Sequence, residues 1–262
     1  MKLFTSTLAG ALLAGLGVNA EADSLRITLH NDAAAGGHYL TPLWVGLHDG
    51  GFDLFNTGSS ASGALEALAE DGNPAGLNAA FAGHGVAGVL GAGPLAPGAS
   101  ASLMLDAATD GSHAFLSFAS MVLPSSDFFI GNDDPRAVAL GGLLDGSFGR
   151  ITLSITRVYD AGTEVNDFAT SAGNGLFGIA GGQAGPNQGA NQGGVVSIAQ
   201  GGDFALFLNV DGVDVTALDF SGLPALATLT IERVAPVPLP AGLPLLAGGL
   251  ATLLATRRRR QG

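Results

Sequence analysis

Between Arg150 and Thr156 the chain alternates strictly: Ile151, Leu153 and Ile155 fall on one face, Thr152, Ser154 and Thr156 on the other. A period of two is that of an extended strand with one face in a core and the other in water. Similar β character recurs at residues 25–30, 43–47, 101–105, 114–122, 204–208 and 227–234, and the segment beginning at Arg150 reads as a strand to Tyr159. Turn-formers separate these runs, and 42 glycines in 262 residues supply many of them. One short helix is expected over residues 62–69, where Leu65 and Leu68 share a face and Gly72-Asn73-Pro74 stops it. Residues 173–194, rich in Gly, Gln and Asn, read as a long flexible surface loop, and Asp211-Gly212-Val213-Asp214 as a hairpin turn. Short strands punctuated by turns predict an all-β fold, an antiparallel β-sandwich with a short helix and long loops.

The two ends carry a different pattern. Met1-Lys2, an apolar run over residues 8–18 and then Ala20-Glu21-Ala22 make a secretory signal peptide, residues 1–22, with cleavage expected after Ala22 and Ala20 as the alternative. At the other end Val237, Pro238, Leu239, Pro240 and Ala241 precede an apolar run to Thr256 and the cluster Arg257, Arg258, Arg259 and Arg260. Such a run inserts in a membrane, and the arginines hold its end in the cytoplasm, leaving the main domain outside. This tail, residues 236–262, resembles the VPLPA variant of the PEP-CTERM sorting signals of exopolysaccharide-producing bacteria. The resemblance implies an exosortase-type protease as processing partner and a transient inner-membrane anchor.

Between the ends the charge is sparse and one-sided. Residues 23–236 hold five arginines against 21 acids, a formal charge of −16. That surface repels phosphate backbones, so no nucleic-acid partner is expected, and cations are its natural ligands. Without cysteine there is no disulfide framework, thiol nucleophile or thiolate zinc site. The histidines (His30, His38, His48, His84 and His113) show no zinc-binding spacing. Gly58-Ser59-Ser60-Ala61-Ser62-Gly63 is no nucleophile elbow, and no glycine pair leads into a phosphate loop. Trp44 and Phe52 fit core packing better than a sugar platform.

An ordered set of segments carries a second resemblance. It comprises residues 40–49 (LTPLWVGLHD), 52–55 (FDLF), 68–73 (LAEDGN), 125–131 (SSDFFIG) and 159–164 (YDAGTE). Together they resemble the spondin N-terminal domain in its bacterial form, over about residues 24–234 of a domain taken as 23–235. The resemblance implies a C2-like sandwich and, from animal members, adhesion to cells or matrix with a bound calcium ion. The loops of those relatives read S-P-D-W-x-V-G and W-D-A-G-T-D, which maps the acidic positions onto Asp127, Asp160 and Glu164. Ser126 stands where the relatives have proline, and Glu164 where they have a second aspartate.

The residues alone leave two readings of these acids. Calcium takes six to eight hard oxygens, and Asp160 and Glu164 flank a short Ala-Gly-Thr loop able to turn both carboxylates to one point. Equally, all three acids can cap turns. Asn132-Asp133-Asp134-Pro135 is a second acidic turn explained as well by Asx chemistry. The expected function is an exported, non-enzymatic adhesion or extracellular-matrix module with a Ca2+-supported loop site, meeting exopolysaccharide or a cell-surface partner. The alternatives are a structural matrix protein without a specific ligand and a polysaccharide-acting enzyme using paired carboxylates.

Overall fold

The computed structural model describes residues 23–167, 170–202 and 215–234. The expected signal peptide, the sorting tail, the strand at 204–208 and the turn at 211–214 lie outside these residues. In chain order the elements are β1 (Asp23–Asn31), β2 (Tyr39–Leu40), β3 (Leu43–His48), α1 (Gly63–Asp71), α2 (Ala75–Phe81) and β4 (Gly85–Leu90). There follow β5 (Ser100–Ala107), β6 (Phe115–Leu123), β7 (Phe128–Gly131), α3 (Gly141–Leu144) and β8 (Arg150–Ile155). β9 (Tyr159–Asp160), β10 (Ser197–Ile198), β11 (Ala227–Val234) and two short 3-10 helices, Asn174–Phe177 and Val215–Leu218, complete the set among the described residues.

Two antiparallel sheets stack. One runs β5-β1-β11-β8; the other runs β10-β9-β7-β6-β3-β4, with β2 paired to β6. In the first sheet alternation decides the faces: Leu25, Ile27 and Leu29 of β1 and Leu229 and Ile231 of β11 enter the core, and the residues between them face out. The second sheet is covered on both sides, which is why β3 is buried at every position. Leu43, Val45 and Leu47 join the core between the sheets. Trp44 points the other way into a second apolar cluster with Phe52, Leu65, Leu68, Leu77 and Phe81, beneath α1 and α2. The Trp44 indole N–H donates to Asn78 Oδ1 at 2.9 Å, so the ring is core with its one polar atom satisfied. Among the described residues no helix is long and apolar enough to cross a membrane.

The helix expected at 62–69 is α1. Ser62 caps it, its hydroxyl accepting from Leu65 N at 3.2 Å, and Gly72 ends it in the left-handed region at φ 62°. A second helix starts immediately after Pro74, because a proline that cannot continue one helix suits the entry to the next. The strand expected to run from Arg150 to Tyr159 is instead two strands. β8 ends at Ile155, residues 156–158 cross between the layers, and β9 joins the other sheet. The loop at 173–194 is irregular apart from the 3-10 helix Asn174–Phe177, and it is strapped to α1: Gln183 Nε2 and Asn187 N donate to Asp71 Oδ1, and Asn187 Nδ2 to Glu66 Oε1 at 3.2 Å.

Candidate functional site

Asp127 precedes β7 and is fully buried. Its Oδ2 accepts three hydrogen bonds from the loop after β9: Thr163 N at 2.7 Å, Thr163 Oγ1 at 3.1 Å and Glu164 N at 3.1 Å. The loop reaches that position through a turn at Gly162, where φ is +69° and a Cβ would lie 2.6 Å from the Val195 carbonyl oxygen. Asp160 closes the turn, its Oδ1 accepting from Gly162 N at 2.7 Å and its Oδ2 from Asn166 Nδ2 at 2.8 Å. Glu164, 3% exposed, accepts from the Thr170 hydroxyl at 2.7 Å through Oε1. The backbone of Gly189 lies against that same carboxylate, where a Cβ would come within 2.2 Å of Oε1.

The electrostatics of this end are strained. Burial, and then repulsion from Asp160, push the Asp127 carboxyl up to about 7, although its three donors pull the other way. Burial pushes Glu164 up to about 7 as well; Thr170 offsets this in part, and Glu70, Asp127 and Asp167 add repulsion. Glu70 joins them from α1. It is 2% exposed and its carboxyl is raised by burial and by Glu66 and Asp71, while the Thr163 hydroxyl lowers it. A carboxyl held near neutrality by its neighbours would shed that strain in a cation's field.

Asp127, Asp160 and Glu164 therefore gather around one loop, and Glu70, which sequence reasoning missed, faces them. The signal was present in the 68–73 segment, but nothing in its spacing said that α1 would turn this acid inward. As the side chains stand, no three acidic or imidazole groups among the described residues are placed to share one ion. What the donor set does show is unspent hard oxygens. Asp127 Oδ1, Glu70 Oε1 and Asn166 Oδ1 are buried without a hydrogen-bond partner, and leaving such atoms unpaired costs about 1–3 kcal/mol each. Those atoms fit calcium chemistry.

The second acidic turn is structural. Asp133 accepts from Thr57 N and Oγ1 at 3.2 and 2.9 Å, and Asp134 from Arg136 N at 2.8 Å, so both hold loops.

No curated protein matches the chain. The Spondin_N family profile matches residues 36–171, a narrower span than the 24–234 over which the sequence resembles that family. It takes in β2 to β9, the Asp127 turn and the Asp160–Glu164 loop, and with half of the chain matched, the protein belongs to the Spondin_N family.

Proposed function

We propose that this chain is an exported adhesion or matrix module whose loop end binds calcium. The observation that carries the reading is the set of buried, unpartnered oxygens of Asp127, Glu70 and Asn166 beside the Asp160 and Glu164 carboxylates. Membership of the Spondin_N family supports the adhesion or matrix part of this reading. Calcium would be held by Asp127, Asp160 and Glu164 with Glu70 contributing from α1, and it would supply the positive charge that these acids lack. Catalysis by paired carboxylates fits poorly, since Asp127 is fully buried and Glu164 nearly so, out of reach of a polymer. Routing rests on the sequence of the ends: a cleaved leader, and a Val237–Ala241 tail with its arginines as the substrate of an exosortase-type protease.

The test is calorimetric titration of the chelator-stripped chain with calcium. Asp160→Asn is expected to weaken binding at least tenfold, and Asp133→Asn to leave it within twofold, because Asp133 serves Thr57. Magnesium is expected to substitute poorly, since it demands tighter octahedral geometry. Equal behaviour of the two variants, or no heat of binding, would leave the acids as turn caps alone.

A further inference from the structure

The two sheets differ in what lies on their outer faces. Helices α1 and α2 pack on the seven-stranded sheet, whereas the outward positions of the four-stranded sheet are exposed or half-buried along all four strands. The registers align its outward side chains in rows. Ser102, Thr28, Thr230 and Thr152 stand side by side across β5, β1, β11 and β8. Two residues along each strand, Ser100, His30, Thr228 and Ser154 form a second row. Neighbouring strands are about 4.8 Å apart, and the rows about 7 Å apart along them. Charge flanks the rows on both sides: Arg26, Glu232 and Arg150 share the next row, where Arg150 Nε donates to Glu232 at 2.8 Å, and beyond the second row Asp32 accepts from the Thr228 hydroxyl at 2.6 Å and lies 3.4 Å from His30 Nε2.

We infer that this hydroxyl face docks an extended, neutral polysaccharide. Its chemistry selects that partner. Hydroxyls donate and accept at once, as the hydroxyls of a sugar do, so each side can satisfy the other in either direction. The charges on the face nearly cancel, while the domain as a whole carries the −16 that repels polyanions. A protein partner would want aromatic or large apolar anchors, and among the described residues Met104 is the one exposed large apolar side chain of this sheet. The hydroxyls are also set in place: Thr28 Oγ1 and Ser102 Oγ lie 2.8 Å apart, and His30 Nδ1 lies 2.9 Å from Ser100 Oγ. Each bond to a sugar adds little net free energy, so affinity comes from repetition along a chain and from many protein copies on one polymer. This inference deepens the adhesion reading by naming a surface and a polymer class, and it assigns them to a sheet face rather than to the acidic loops.

The experiment is depletion of the full chain by amorphous cellulose, a neutral β-linked glucan, with alginate as the acidic polymer. Binding to cellulose, none to alginate, and no change with chelator are expected. The triple variant Thr28→Val, Thr152→Val, Thr230→Val keeps the β-branched shape and should bind about tenfold more weakly. The matching triple serine variant should retain binding. The inference is overturned if cellulose does not deplete the chain, if the valine variant binds as wild type does, or if the serine variant loses binding equally. Binding abolished by chelator would also overturn it, by moving the contact to the loops. Calcium titration reads the loop site separately, so either idea can fail while the other stands.

Discussion

Replacing Asp127 with asparagine should stabilise the calcium-free chain, which is the reverse of what deleting a well-bonded buried carboxylate ordinarily does. Burial, and then the neighbouring Asp160, push the carboxyl from its ordinary 3.8 up to about 7. Between those values the folded state holds a proton that the unfolded state has lost, so stability falls as pH rises through that window. The full cost, reached near pH 7, is roughly 4 kcal/mol. Asparagine is neutral, its oxygen can accept from Thr163 N and Glu164 N, and its amide group can fill the place of the unpartnered Oδ1. Part of the gain is lost because a neutral acceptor bonds more weakly than a carboxylate, leaving a net of about 2–3 kcal/mol. For a domain of this size that corresponds to roughly 5–10 °C in melting temperature. The assay is thermal unfolding in chelator at pH 7.5 and at pH 3.5, where the difference should close because the aspartate is then protonated in the fold and largely so when unfolded. Adding calcium should close the gap at pH 7.5 and, at one thousand times the dissociation constant, reverse the order, raising wild type by about 4.1 kcal/mol and the variant much less. An asparagine variant less stable than wild type in chelator at pH 7.5 would refute the reasoning, since the cost of burying the charge would then be smaller than the strength its three hydrogen bonds draw from it.

Two further outcomes are expected. Gly189→Ala should destabilise the chain by about 1–3 kcal/mol and weaken calcium binding, because Gly189 sits at φ +116° with Glu164 Oε1 in the space a methyl would need; paired unfolding and titration measurements check it, with Gly63→Ala, in open space at the start of α1, as the control. The exported form should begin near Asp23, and neutral replacements of Arg257 through Arg260 should disturb its retention, as terminal sequencing and fractionation would show.

The sandwich was legible where one face of a strand meets water. β1, β8 and β11 alternate because their outer side chains are solvated, and a period-two pattern reports that asymmetry directly. It was least legible where a strand is glycine-rich or short. In β4, Gly85-Val86-Ala87-Gly88-Val89-Leu90, small residues make room instead of marking a face: a Cβ on Gly88 would lie 2.6 Å from a Leu103 methyl carbon. The break at residues 156–158 was hidden because apolar residues continue past it: Val158 and Tyr159 are buried as Ile155 is, although Tyr159 belongs to the other sheet. The acidic site divides in the same way. Asp127, Asp160 and Glu164, just before β7, at the end of β9 and in the loop after it, could be mapped from the family resemblance. Glu70 reaches them only because α1 packs Leu65, Leu68 and Ala69 onto the seven-stranded sheet, and the last turn of so short a helix has little freedom in where it points its next residue. An acid at a helix end usually faces water; this one is carried inward by the burial of its neighbours. The free energy that seats the apolar face of α1 thus offsets the desolvation of Glu70, and a cation at the loops would relieve what remains.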